Sequence, residues 1–204
     1  MSDEGLLTEM RCPIQEEGRM SNSDLSMLKP RFVFALAGLV LFVSGCAAPK
    51  EGKRFDSVVI RGTPGFSERV ENALALLKTN SPGAYGIVTN YVGIIEQAKH
   101  SGMRASSKPP KFDLNERTAF YSLTWCAGTI AHDSFHSKLY ADYLKEHPKR
   151  RVPDKIWMGE EAEKRCLEHQ VAVLQEIGAP TREVTWCGET TNRYWEVKYR
   201  NRTW

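Results

Sequence analysis

The feature that most constrains this chain is a stretch near its middle that would be apolar on nearly every side of a helix. Its apolar residues are Leu123, Trp125, Cys126, Ala127, Ile130 and Ala131. A helix of this kind is stable only when other elements cover it on all sides. The pattern becomes amphipathic from Leu139 onward and stops before Pro148, because proline cannot continue a helix. We therefore expect one buried central helix with the rest of the domain packed around it.

The flanking sequence predicts the elements that cover this helix. Pro64 is expected to open an amphipathic helix, and residues 84–99 repeat a helical pattern, although their β-branched content leaves a strand possible. Residues 58–60 predict a short edge strand, and residues 112–121 predict one or two further strands. Another helix is expected over about residues 157–177. Together these elements predict a mostly helical α+β domain with a short sheet.

The first 45 residues carry the pattern of an export signal. A basic segment precedes the apolar residues 32–43, a run too short to span a bilayer comfortably. The run ends in Val43, Ser44, Gly45 and Cys46. This ending resembles the lipobox of bacterial lipoproteins, and the resemblance implies cleavage before Cys46 and lipid, including palmitate, on that cysteine. The alternative is an ordinary secretory signal followed by a chance cysteine.

The predicted domain organisation follows from this signal. Residues 1–45 are expected to be a leader and signal peptide, residues 46–56 a lipidated tether, and residues 57–204 the globular domain. By the same resemblance, Ala47 after the lipidated cysteine implies an anchor in the outer membrane, facing the periplasm. The net charge of +3 is mild, and the sequence contains no concentrated basic stripe. We therefore expect no nucleic-acid partner.

Two histidines in the apolar helix point to a metal. His132 and His136 are four residues apart, so they lie on one helical face and can reach the same ion. An unpaired polar ring in a core costs about 1–3 kcal/mol, and a metal would satisfy both rings. The alternative is a pair of core histidines that pack without a metal.

A tetrahedral site with an open position needs a third protein ligand. Glu163 is the candidate, because it lies on the next predicted helix and shares a face with Leu167 and Leu174. Glu160, one helical turn earlier, is the alternate ligand.

The pair His132 and His136, followed by a helical glutamate, resembles the active-site helices of zincin metallopeptidases. The resemblance implies a zincin-like domain over residues 57–204, Zn²⁺ on His132, His136 and Glu163, and a peptide or protein substrate. Zincins carry glutamate after the first histidine, where this chain has Asp133. Asp133 is the expected proton-transfer group, but its carboxylate ends about 1 Å short, and a misplacement of that size can cost roughly 10²-fold in rate. Asp133 is thus either a working base in a rearranged site, a weak base, or the mark of an inactive relative that still binds metal.

The family mechanism also implies an edge strand that holds the substrate and a donor to the developing oxyanion. Residues 112–121 are the expected strand, and Tyr194, His169 and Arg193 are the candidate donors.

Two other interpretations remain open. His132 followed by Asp133 also resembles the metal-binding dyad of HD-type phosphohydrolases, which would need His100 upstream and Asp142 or Asp154 downstream. The second is a non-enzymatic envelope lipoprotein that acts as a binding or structural module.

The surroundings of the histidine pair would separate these classes. A cavity open above the pair would favour an enzyme, whereas rings sealed by Trp125 or Phe135 would not.

With Cys46 lipidated, an exported domain retains Cys126, Cys166 and Cys187 in an oxidising compartment. A disulfide between Cys126 and Cys166 would join the two metal-bearing helices if they run antiparallel, and Cys166 with Cys187 is the competing pair. Because three is an odd number, one thiol is expected to stay free or to pair between chains.

Overall fold

The computed structural model describes residues 52–189, which form seven helices and one five-stranded sheet. The strands are β1 (Lys53–Phe55), β2 (Val58–Arg61), β3 (Ile94–Ala98), β4 (Gly102–Arg104) and β5 (Lys111–Asn115). The helices are α1 (Pro64–Asn80), α2 (Pro82–Tyr91), α3 (Glu116–Tyr121), α4 (Leu123–Glu146), α5 (Asp154–Trp157), α6 (Glu160–Glu176) and α7 (Thr181–Glu189). This architecture confirms the predicted mostly helical α+β class.

The sheet has the strand order β1-β2-β3-β5-β4. Strands β2, β3 and β5 are parallel, and β1 and β4 run antiparallel to their neighbours at the two edges. The strand predicted at residues 58–60 is therefore not an edge strand, because β1 pairs with it. Strand β1 also lies inside the segment that was predicted to be a tether, so the fold already includes residues 53–55.

The prediction for residues 112–121 was wrong in two respects. Strand β5 lies between β3 and β4, so the edge of the sheet belongs to β4 instead. Residues 116–121 form helix α3, because the side chain of Asn115 accepts a hydrogen bond from the backbone N–H of Arg117 at 2.8 Å and caps the helix. Residues 84–99, for which the sequence left both a helix and a strand possible, contain both: helix α2 ends at Tyr91 and β3 begins at Ile94.

Helix α4 is the predicted central helix. It begins at Ser122, whose hydroxyl accepts a hydrogen bond from the backbone N–H of Trp125 at 2.8 Å. Helices α1, α2, α3 and α6 pack against it, and Ala127, Ile130 and Ala131 are fully buried. No helix in residues 52–189 is long and apolar enough to cross a membrane.

Helix α6 runs antiparallel to α4 at close range. Gly128 faces the end of α6, where an added Cβ atom would lie 2.8 Å from Leu174 Cδ2. His136, two turns further along α4, faces Glu163 near the start of α6, so the two helices run in opposite directions. Glycine at position 128 therefore sets how closely the two helices approach each other.

The predicted disulfide between Cys126 and Cys166 is absent: both thiols are free and buried, as is Cys187. Cys166 lies beside His136, and Cys126 is about 15 Å further back along α4 at 1.5 Å per residue. A disulfide requires the two Cα atoms to lie within about 7 Å, so the antiparallel register separates these cysteines instead of joining them.

Candidate metal centre

The two histidines predicted to bind a metal lie together on one face of α4. The Nε2 atoms of His132 and His136 are 3.1 Å apart, and the ring centroids are separated by 4.9 Å. Both side chains are buried among polar neighbours at the boundary between α4 and α6. The spacing of four residues thus produces the juxtaposition that the sequence predicted.

Glu163 faces both imidazoles from the first turn of α6. Its Oε2 atom lies 3.3 Å from Nε2 of His132 and 3.5 Å from Nε2 of His136. Gly159 precedes the helix with φ of +100°, a backbone conformation that favours glycine and turns the chain toward α4. Glu160 is exposed and pairs with Lys164 at 2.8 Å, so it is not the third candidate ligand.

The three atoms fit a zinc ion by both chemistry and spacing. They form a triangle with edges of 3.1, 3.3 and 3.5 Å. In tetrahedral coordination with bonds of about 2.0–2.1 Å, ligand atoms lie about 3.3 Å from one another. Two imidazoles and one carboxylate are also a common donor set for zinc. The residues present can therefore hold a metal ion, and their spacing is compatible with zinc.

The orientation of His136 is fixed by the backbone of α5. Its Nδ1–H donates to the carbonyl oxygen of Trp157 at 2.6 Å, which leaves Nε2 directed at His132 and Glu163. A hydrogen bond of this kind holds the tautomer and ring orientation of metal-binding histidines. Nδ1 of His132 is buried and has no hydrogen-bond partner within the described part of the chain.

His136 and Glu163 each stabilise the charged form of the other. Burial alone would raise the pKa of Glu163, but hydrogen bonds from His132 and His136 outweigh it and hold that pKa far below its ordinary range. Burial alone would lower the pKa of His136, but contact with Cys166 and with the Glu163 carboxylate holds it well above its ordinary value. We attribute the rise mainly to Glu163, because burial raises the pKa of the Cys166 thiol and keeps it neutral.

Cys166 is a member of the cluster that the sequence did not predict as a ligand. Its Sγ atom and one ring nitrogen of each of His132 and His136 all lie within 4.8 Å of one another, so these three residues can together hold a metal ion. Cys166 follows Glu163 by three positions on α6, and this helical spacing is the signal that could have found it. The sequence predicted a disulfide for this residue instead.

A cavity of about 290 Å³ lies over the cluster. His132, Asp133, His136 and Glu163 form one part of its wall, and each retains 5–8% of its surface exposed. Cys166 is fully buried and does not line the cavity. A metal held by the two histidines and Glu163 would thus face the cavity, with the cysteine behind it.

The aromatic residues that could have sealed the histidines do not do so. Trp125 lines the cavity, and Phe135 stacks on His169 at a centroid distance of 4.7 Å. Both histidines therefore remain part of the cavity wall.

The remaining predicted site residues divide into three groups. His100 and Asp154 are exposed and Asp142 pairs with Lys138, so the third and fourth ligands of an HD-type site are missing from the cavity. His169 is held against Phe135 outside the cavity and is not placed to act as an oxyanion donor. Arg193, Tyr194 and Cys46 lie outside the described residues.

Comparison with protein-family models, with curated proteins and with solved structures finds no match for this chain.

Proposed function

We propose that this chain is a zincin-like zinc peptidase of low activity. The observation that carries the proposal is the triangle of His132 Nε2, His136 Nε2 and Glu163 Oε2 in the wall of a cavity that Asp133 shares. A zinc site with three protein ligands leaves its fourth position for water or substrate, whereas a structural site closes it. Zinc bound there supplies Lewis-acid polarisation of a peptide carbonyl and lowers the pKa of water to about 7.

Asp133 is the residue for proton transfer in this proposal. Its side chain is next to His132 in the sequence and lines the cavity, where it is 8% exposed. As a general base it would take a proton from the attacking water and then deliver it to the leaving amine. The shorter aspartate side chain is the reason to expect a slow enzyme.

Strand β4 is the element suited to hold an extended peptide. It pairs with β5 on one side only, and Gly102, Met103 and Arg104 line the cavity. An extended substrate can add to such an edge through backbone hydrogen bonds. In the proposed enzyme the edge strand that holds the substrate is therefore β4, in place of the predicted residues 112–121.

Metal analysis of the full-length protein, purified in detergent, tests the centre. We expect about one equivalent of zinc in the wild-type protein and none in the His132→Ala/His136→Ala variant. His100→Ala is the matched control, because it removes an exposed histidine away from the cavity and should keep the metal. Zinc-free wild-type protein, or equal zinc in the double variant, would overturn the proposal.

Hydrolysis of internally quenched peptides tests the chemistry. Asp133→Asn should retain zinc and lose at least about 100-fold in kcat/KM, since the amide cannot accept the proton. Asp133→Glu restores the longer carboxylate and should keep activity or increase it. A rate that is unchanged in Asp133→Asn would exclude this residue as the base.

A second candidate is a structural zinc centre, and Cys166 is the observation that favours it. With His132, His136, Glu163 and Cys166 all bound, the ion would have four protein ligands and no open position. The protein would then be a binding or structural module whose two central helices are held together by the metal.

The location is a separate proposal, which the N-terminal sequence supports. We propose lipidation of Cys46 after cleavage of residues 1–45, with the protein anchored in the bacterial envelope and facing the periplasm. Cells grown with labelled palmitate should incorporate label into the wild-type protein and the Cys12→Ser control, but not into Cys46→Ser. Label retained in Cys46→Ser would refute the assignment.

A further inference from the structure

Two of the four large apolar side chains that stay exposed in residues 52–189 lie at the cavity. Met158 and Trp186 line it and are 40% and 42% exposed, and Tyr121, 58% exposed, packs against Trp125 of its wall. Phe120, 42% exposed, has instead the Arg69 guanidinium 5.2 Å from its ring centroid. Exposed apolar surface gathered at one concave site marks a place where an apolar group binds.

Three of these aromatic rings are in contact, and two of them, Trp125 and Trp186, form an aromatic wall of the cavity. The rings of Trp125 and Trp186 meet edge to face at a centroid distance of 5.0 Å, and Tyr121 meets Trp125 at 5.8 Å. Trp125 belongs to α4 and Trp186 to α7. The hydroxyl of Thr124 donates to the buried carboxylate of Glu183 at 2.7 Å and joins the two helices beside the wall. The wall is thus a built part of the fold.

We propose that Trp125 and Trp186 form a specificity pocket for an aromatic side chain of the peptide substrate. This inference rests on the proposed function, because the pocket adjoins the metal cluster in one cavity. The volume of about 290 Å³ is at the small end for ligand sites, which suits one side chain at a time. An aromatic ring is favoured over an aliphatic chain because ring pairs gain edge-to-face attraction beyond the area that they bury.

A charged side chain in another part of the cavity wall leads to a competing prediction. Arg104 is held by Asp113, with Nε 2.6 Å from Oδ2, and its side chain is 64% exposed. If this guanidinium selected the substrate, an acidic side chain would be preferred. The two possibilities can be separated with peptides that differ at one position.

The test measures binding by fluorescence anisotropy to the full-length, metal-free protein in non-ionic detergent. Three fluorescein-labelled, capped eight-residue peptides carry Phe, Ala or Glu at one central position. We expect the Phe peptide to bind at least about tenfold more tightly than the Ala peptide. Trp186→Ala should reduce this ratio below about threefold and leave the Ala peptide unchanged. Trp186→Phe should preserve the preference, as should the control Phe120→Ala.

Each outcome bears on the inference without depending on catalysis. Equal binding of the Phe and Ala peptides, a preference for Glu, or a Phe preference that survives in a folded Trp186→Ala variant would overturn it. Circular dichroism and thermal unfolding establish that the variant is folded, and Trp125→Ala provides a second removal of the wall. Because no metal is bound, failed hydrolysis would count against the proposed peptidase alone.

Discussion

His136 Nε2 lies 3.1 Å from His132 Nε2, while His136 Nδ1 donates to the carbonyl of Trp157 on the other side of the ring. The ring is therefore held at both nitrogens, and Nε2 is directed into the cluster. Glu163 completes the triangle from a different helix. A metal bound to these residues would join α4 and α6 as well as serve the cavity.

The identity of the third ligand gives the first prediction. Glu163→Gln should weaken zinc binding by at least about 100-fold, because a neutral amide replaces the only carboxylate of the triangle. Glu160→Gln is the matched control, since Glu160 is exposed and pairs with Lys164. Competition with a chromogenic zinc chelator measures both affinities. Equal losses in the two variants would show that the ligand assignment is wrong.

The role of Cys166 gives the second prediction. If Glu163 is the third ligand and the thiol stays behind it, Co²⁺-substituted protein should lack an intense near-ultraviolet thiolate charge-transfer band. Its visible spectrum should be the same in Cys166→Ser. A strong band that disappears in Cys166→Ser would instead identify the four-ligand structural centre. Cys126→Ser is the control, because that thiol lies outside the cluster.

The stability of the metal-free protein should depend on pH in a defined way. Glu163 has its pKa held below the ordinary 4.5, so its contribution is present above pH 4.5 and is lost as the pH falls. His136 has its pKa held well above 6.5, so its contribution is full below pH 6.5 and is lost as the pH rises through the raised pKa. The free energy of unfolding should therefore be greatest between these values.

Chemical denaturation at a series of pH values, with a chelator present, measures this profile. Glu163→Gln should flatten both sides of it, because the variant removes the charge that pairs with His136. An alkaline decline of the same size in Glu163→Gln and in the wild-type protein would contradict the pairing.

The approach of α4 to α6 gives the fourth prediction. Gly128→Ala should destabilise the protein by about 1–2 kcal/mol, since the new Cβ would lie 2.8 Å from Leu174 Cδ2, and the overpacking of this buried side chain should outweigh the gain from a better helix former. Gly86→Ala is the matched control, because nothing lies within 4 Å of a Cβ there in helix α2. That variant should gain about 0.5–1 kcal/mol from the better helix former. Urea denaturation compares the two.

The central helix and the histidine pair could be predicted because both depend on local spacing. An apolar pattern around α4 specifies burial, and two histidines four residues apart must share a face. Glu163 could be chosen over Glu160 because it lies on the apolar face of α6. These features need only the geometry of a single helix.

The edge strand and Cys166 could not be predicted in this way. Strand β4 has three residues, including Gly102, and exists through its pairing with β5, where Met103 faces Phe112. Nothing in so short a segment indicates a strand. The position of Cys166 depends on how α6 is aligned along α4. The predicted disulfide required Cys166 to lie opposite Cys126, but Cys166 lies beside His136. Both the edge strand and the position of Cys166 depend on the alignment of elements that are far apart in the sequence.

Trp157 belongs both to the wall of the cavity and to the support of a metal ligand. It lines the cavity, and its carbonyl holds Nδ1 of His136. The two functions share a four-residue helix that ends just before Gly159, where the chain turns into α6. We therefore expect a molecule bound against this part of the wall to shift the acceptor that holds the imidazole. We thus expect occupation of the cavity and the orientation of the His136 imidazole to be coupled through one residue.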